Sequence, residues 1–190
     1  MEREVTFAGF GGQGVMTAGK FLAQGAMNKG MEVAWVPSYG PEMRGGTAYC
    51  TVVIADEPVG SPIVRNPETA VVMNRPSLDK FGPEVKSGGC LIINSSLIDV
   101  TSDRDDILVV LIPCNQISME VVGTGRSANM AALGAYAGAV PVVDYQSIEA
   151  VVKSKFSKKP KVLEDNLSIM QKGYELGRQA REAYEAGKRG

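Results

Sequence analysis

Apolar residues in this chain come in short unbroken runs rather than in strict alternation. VTFAGF (5–10), VAWVP (33–37), AVVMN (70–74), CLIINSS (90–96) and ILVVLI (107–112) are rich in β-branched residues, and each is followed by turn residues and then a segment of helical period. A strand that is apolar at every position has both faces covered, as in a parallel sheet with helices above and below it. The pattern predicts an α/β fold, a three-layer α/β/α sandwich around a mostly parallel sheet. TAYCTVVIADEPVGSP (47–62) reads differently: Tyr49, Thr51, Val53 and the DEP turn predict a more exposed antiparallel strand at the sheet edge, leading into a hairpin-like excursion.

From Ser127 onward the period is helical. SANMAALGAYAGAV (127–140) is so rich in Ala and Gly that it predicts a helix lying close against its neighbours, and SIEAVVKSKF (147–156) predicts another, with Ser147 as its N-cap. The last stretch puts Leu163, Leu167, Met170, Tyr174 and Gly177 on one face of a long C-terminal helix. Arg178/Glu182 and Arg181/Glu185 form i,i+4 pairs on its wet side. KFSKKPK (155–161) is the linker between these helical parts. The expected organisation is one domain, 1–190, whose C-terminal helical appendage covers roughly 146–190.

Composition narrows the function classes. A chain of 190 residues can bury one good core. With 20 basic and 21 acidic residues, scattered rather than massed, it offers no field for a polyanion, so nucleic acid is not expected as a partner. ILVVLIP is far too short to span a bilayer and MEREVTF lacks a signal-peptide pattern, which points to a cytoplasmic protein without membrane association. Cys50, Cys90 and Cys114 are widely spaced and odd in number, so they write neither a disulfide framework nor a cluster motif and read as buried reduced thiols. There is no histidine, the commonest general base and zinc ligand. No metal site and no catalytic nucleophile or base is expected.

The candidate chemistry sits at GFGGQG (9–14), between the first strand and a helical stretch. Gly9, Gly11 and Gly14 have the G-x-G-x-x-G spacing that lets backbone approach phosphate oxygens while helix-start amides donate to them. A dinucleotide site also wants an acid about 20 residues further on, at the end of the second strand, for the ribose. EVAWVPSYG ends instead in Pro37 and Ser38, with Glu32 at its beginning, which weakens an NAD reading. Gln13 inside the glycine turn, with Thr17 and Lys20 following on the helix, offers donors that packing alone does not require. A turn that needs glycine only for close packing is the competing account of the same residues. SYGPEMRGGTAYC is the second dense segment, with Ser38, Tyr39, Glu42 and Arg44 beside Gly45 and Gly46; loops at strand C-terminal ends share a crevice, so it should neighbour GFGGQG.

GFGGQGVMTAGKFLA, PSYGPEMRGGTAYCTVVIADEPVGSPIV, VVMNRPSLDKF and GGCLIINSSLI, with the later NMAALGAYAG and EDNLSIMQKGYELG, resemble the gamma subunit of 2-oxoacid:ferredoxin oxidoreductases over nearly the whole chain. The SYGPEMRGGTAYC and DEPVGSPIV forms are most similar to the 2-oxoglutarate branch, with the 2-oxoisovalerate branch close behind. The resemblance also extends to the equivalent domain of pyruvate:ferredoxin oxidoreductase. It implies a subunit of an enzyme that oxidises a 2-oxoacid to acyl-CoA, inactive in isolation, with thiamine diphosphate, magnesium and iron–sulfur clusters on partner subunits. Those partners would be alpha and beta chains and a ferredoxin-like delta chain, with ferredoxin as acceptor; the isolated chain would be able to homodimerise. It further implies that Gly11, Gly12, Gln13, Gly14 and Val15, with Thr17, face the phosphates of coenzyme A. Tyr39, Arg44 and Gly45 would frame a substrate channel or subunit interface, and Asn94 and Ser95 would border the same crevice, with strand-end hydrogen bonding as their first role. Asn129 and Asn166 fit family positions and read as buried hydrogen-bonding side chains. An autonomous dinucleotide-binding protein and a pure assembly scaffold are the alternatives.

Overall fold

The computed structural model describes residues 1–39 and 47–188. Six strands form one sheet: β1 (Glu2–Phe10), β2 (Glu32–Tyr39), β3 (Thr47–Ala55), β4 (Thr69–Val72), β5 (Cys90–Asn94) and β6 (Leu108–Ile112), in the order β2-β3-β1-β4-β5-β6. β4, β5 and β6 run parallel to β1, as does β2, and β3 alone opposes them. The α/β sandwich expected from the unbroken apolar runs is therefore the fold.

Two placements differ from the sequence reading. The TAYCTVVIA segment is antiparallel, as expected, but β3 lies inside the sheet between β2 and β1 rather than at its edge. Its polar positions have partners within the sheet layer: the Thr51 and Thr6 hydroxyls meet across the strands at 3.2 Å, and the Tyr49 ring packs on Phe81. The VAWVP strand, read as covered on both faces, forms the edge β2, where Val36 is 38% exposed.

The sheet's two faces are covered unequally. Val5 and Phe7 of β1, Cys50 and Val52 of β3, Val71 of β4 and Ile92 of β5 point into a large core. It is closed by helices α1 (Val15–Asn28), α3 (Cys114–Val122), α4 (Ala128–Ala139), α5 (Tyr145–Lys155) and α6 (Pro160–Gly187). Alternate residues, Ala8, Ala70, Val72, Leu91 and Ile93, face a smaller core whose helix is α2 (Arg75–Phe81), contributing Leu78 and Phe81.

All twelve residues of α4 are buried, as its Ala and Gly content predicted. They lie against α6, whose inner face is built by Met170 and Gly177 with Leu163, Leu167 and Tyr174 at its margin. Backbone meets backbone here: a Cβ on Gly134 would come within 2.0 Å of the Met170 carbonyl, and one on Gly173 within 2.1 Å of the Ala131 carbonyl. On the wet side of α6, Arg178 pairs with Glu182 at 2.6 Å and Arg181 approaches Glu185 at 3.9 Å.

The 155–161 linker is where expected, between α5 and α6. The α5 cap is not: Asp144, not Ser147, is the N-cap, and its carboxylate accepts from the Ser147 amide at 2.8 Å. Aspartate and serine both suit that position, and the helix begins one turn before the apolar period becomes visible. Lys29 at the end of α1 also pairs with Asp144. That ion pair and the Ser147 hydrogen bonds hold the Asp144 carboxyl down at about 2.

Candidate functional site

In an open α/β sheet, ligands settle where successive connections leave the sheet in opposite directions, beyond the carboxyl ends of the strands. That place lies here between β1 and β4. From β1 the chain passes through α1, on the large-core face, to β2; from β4 it passes through α2, on the other face, to β5. GFGGQG occupies the carboxyl end of β1, and Met73 and Asn74 that of β4.

The turn is tightly specified. Gly12 and Gly14 adopt left-handed backbone, at φ 97° and 75°, which disfavours any residue with a Cβ. Gly14 is required a second time, because a Cβ there would lie 2.6 Å from the Asn129 amide nitrogen, which donates to the Gly14 carbonyl at 3.2 Å. The Asn129 side chain thus has the buried hydrogen-bonding role expected of it. Asn166 is buried as well.

Gln13 folds back beneath the turn. Its Oε1 accepts from the Phe10 amide at 2.6 Å and from Asn74 Nδ2 at 3.3 Å, and its Nε2 donates to the Met73 carbonyl at 3.2 Å. Asn94, at the end of β5, continues the chain of amides: Nδ2 donates to Asn115 Oδ1 at 2.8 Å and to the Met73 carbonyl, while Oδ1 accepts from the Cys114 amide at 3.1 Å. Asn74 also caps α2, accepting from the Ser77 amide at 2.9 Å. Four side-chain amides therefore lock the ends of β1, β4 and β5 to the start of α3, and the Gln13 amide is engaged by the protein's own main chain.

What the turn presents outward is backbone. The first helical bond of α1 runs from Ala18 to the Gly14 carbonyl, so the amides of Val15, Met16 and Thr17 have no acceptor within the helix, and no side chain caps it. The first turn carries no acid. Val15 is buried by its side chain and Thr17 is exposed. Beside the turn is a cavity of about 460 Å³ lined by Gly12, Gln13 and Met73 on one side and by Asn115, Met119 and the Gly123–Arg126 turn on the other. Arg126 supplies the cation of this cavity and forms no ion pair among the described residues.

Arg126 was not singled out by sequence reasoning. Its signal is GTGRS, an arginine that follows two glycines just before a helix, a glycine-flanked cation as in the MRGG segment that drew attention to Arg44. The other expected residues divide. Asn94 joins the amide network, and Ser95 is exposed beside it, its own amide donating to the Ile112 carbonyl. Tyr39, 55% exposed, ends β2 at the same edge of the sheet, since it pairs with Ala48 while Phe10 pairs with Thr47, but it does not line the cavity. Arg44 and Gly45 lie outside the described residues. Lys20 does not turn toward the cavity; its ammonium rests over the Trp35 ring at 4.8 Å.

A dinucleotide site fits poorly. The strand beside β1 that would carry the ribose acid is the antiparallel β3, whose residue at that end is Thr47. Iron–sulfur ligation fits poorly too: burial pushes the Cys50 and Cys90 thiols up to about 12 and raises Cys114 as well, and no group of metal-ligating side chains occurs among the described residues. Likewise, no helix among them is long and apolar enough to cross a membrane.

Fold and site together define an α/β chain with a glycine turn and an uncapped helix start at its topological switch point. The family model described as pyruvate ferredoxin/flavodoxin oxidoreductase matches residues 4–176, and the chain belongs to that family. It is 41% identical over 178 residues to the ketoisovalerate oxidoreductase subunit VorA of Methanothermobacter marburgensis, covering 93% of this chain but only 37% of that relative. With the 2-oxoglutarate synthase subunit KorC of Methanocaldococcus jannaschii it shares 32% identity, covering 94% of this chain and 96% of the relative. Among solved structures, the gamma subunit of a keto/oxoacid ferredoxin oxidoreductase from Geobacter sulfurreducens superposes with a TM-score of 0.83 at 28% identity, over 95% of this chain and 98% of that one. The 2-oxoglutarate:ferredoxin oxidoreductase from Magnetococcus marinus, solved with 2-oxoglutarate, coenzyme A and succinyl-CoA bound, shares the fold. Its TM-score is 0.82 at 24% identity, covering 96% of this chain and 31% of that one.

Proposed function

We propose that this chain is the gamma subunit of a cytoplasmic 2-oxoacid:ferredoxin oxidoreductase, and that its glycine turn receives phosphates of coenzyme A while partner subunits hold the thiamine diphosphate and iron–sulfur centres. The observation that carries the reading is the turn itself: left-handed Gly12 and Arg126 line one cavity, and the uncapped amides of Val15 to Thr17 begin the helix directly after the turn. Anions are stabilised at such helix starts by main-chain donors and by the helix dipole. The bound coenzyme A in the structurally similar Magnetococcus marinus enzyme supports this choice of ligand. Gln13 then acts as the strut that holds the turn, with Gly11, Gly12 and Gly14 giving the close approach and Thr17 adding a hydroxyl at the rim.

Tyr39, Arg44 and Gly45 are assigned to the surface that meets the thiamine-binding alpha and beta chains, with a ferredoxin-like delta chain completing the path to ferredoxin. The 2-oxoacid is 2-oxoglutarate in this reading, supported by full-length likeness to 2-oxoglutarate synthase subunits. Ketoisovalerate is the second reading, favoured by the 41% identity to a ketoisovalerate oxidoreductase subunit.

The test uses the assembled enzyme carrying Gly12→Asp or its uncharged counterpart Gly12→Asn. No atom lies within 4 Å of a Cβ at Gly12, so both side chains point into open space, and the strain of a Cβ on left-handed backbone is common to the two variants. Gly12→Asp is expected to raise KM for coenzyme A about tenfold or more without changing KM for the 2-oxoacid, since a carboxylate near a phosphate repels it. Gly12→Asn should stay within about threefold of the parent. Equal KM for coenzyme A in all three proteins removes the glycine turn from coenzyme binding.

A further inference from the structure

The thinly covered face of the sheet holds a second recess, which no residue of the glycine turn lines. Its floor is the pair Thr6 and Thr51, which are 2% and 6% exposed and whose hydroxyls lie 3.2 Å apart on β1 and β3. One of these hydroxyls donates to the other. The second proton of the pair has no acceptor among the described residues. Aromatic walls rise beside this floor: Tyr49 from β3 and Phe81 from α2, with ring centroids 5.1 Å apart. Lys80 is held at the rim, its ammonium 4.7 Å from the Tyr49 ring and 4.9 Å from that of Phe81. Arg65 lines the recess from the segment before β4, and neither cation forms an ion pair among the described residues. Glu84 is the one carboxylate of the lining, so the cations outnumber it.

The volume of about 430 Å³ is that of a site for a compact organic molecule. Each group in it has a preference. A hydroxyl proton without an acceptor wants an anion or carbonyl oxygen, two unpaired cations want negative charge, and two ring faces want a flat or branched apolar body. We propose that this recess is an accessory binding site for a small monocarboxylate with an aromatic or branched apolar body, its carboxylate between Lys80, Arg65 and the threonine pair and its body against Tyr49 and Phe81. Such a molecule would be held there as a ligand, with no reaction assigned to the site. The site is independent of coenzyme A, which is assigned to the carboxyl edge of the sheet.

Phenylacetate is the probe, titrated into the ¹⁵N-labelled full chain and followed by amide chemical shifts, with 2-phenylethanol as the uncharged comparison. Saturable shifts are expected at Thr6, Thr51, Tyr49 and Phe81, with a dissociation constant of about a millimolar. Lys80→Gln, a change at an exposed position, should weaken binding about tenfold, as the loss of a charge-assisted hydrogen bond requires. Thr51→Val should weaken it less. Absence of saturable shifts at these residues overturns the proposal, as does equal binding of 2-phenylethanol or unaltered binding in Lys80→Gln. Saturating coenzyme A should leave the titration unchanged, so failure at one site is read separately from failure at the other.

Discussion

The two faces of the sheet solve opposite problems. On one, five helices press so closely that α4 and α6 touch through main chain, and glycine is required because there is no room for a methyl group. On the other, one seven-residue helix and an irregular segment leave polar side chains and recesses against the strands. The first face supplies stability and the second has surface to spare. Between them, at the sheet's carboxyl edge, the amide network borrows its rigidity from both.

The contrast is sharpest in Gly134→Val. Its Cβ would overlap the Met170 carbonyl, and no rotamer relieves a backbone clash, so a loss of about 4 kcal/mol or more is expected, enough to unfold the chain in thermal denaturation followed by circular dichroism. A melting temperature within a few degrees of the parent would mean that the seam is looser than described. Next is Asn94→Ala, which strips the Cys114 amide and the Asn115 side chain of their partner at a buried position. About 2–3 kcal/mol should be lost, measured as a fall in the urea midpoint. Thr51→Val, on the thin face, removes a single hydroxyl pair and should cost about 1 kcal/mol or less by the same measurement. A larger effect there than at Asn94 would invert the comparison.

The smallest effect is a pH dependence. The Asp144 carboxyl is held at about 2 in the folded chain, below its ordinary 3.8, chiefly by Lys29. Its stabilising contribution is therefore complete above its unfolded value and disappears as the pH falls from there toward 2. The side chain is 38% exposed, so solvent weakens the pair. Melting temperatures of the parent and Asp144→Asn should differ modestly at neutral pH and converge on acidification; a constant difference would assign the effect to helix capping instead.

The sequence made the strands, the buried α4 and the long α6 legible because each repeats its signal over many positions. Neighbour relations were less visible. Apolar content in VAWVP reflects Val33 and Trp35 packing on the large core, with Lys20 over the indole, and says nothing of what lies beyond the strand, so the edge was mistaken for interior. Thr51 and Tyr49 looked like solvent-facing residues because their partners, Thr6 and Phe81, are 45 and 32 positions away in the chain. At the site, glycine spacing located the turn, while the inward fold of Gln13 depended on a carbonyl of β4 that no local pattern announces. Arg126 was overlooked for the same reason: only the packing of α3 carries its turn to the glycine loop.

The amide chain from Gln13 to Asn115 has a kinetic corollary. For the phosphate-binding role proposed above, a landing place already braced in its final shape asks nothing of an arriving anion by way of folding, so capture should proceed at a rate set by diffusion and charge rather than by loop closure. Loosening a single strut, as in Gln13→Ala, would then betray itself as slower and heterogeneous arrival before any change in the final occupancy became large.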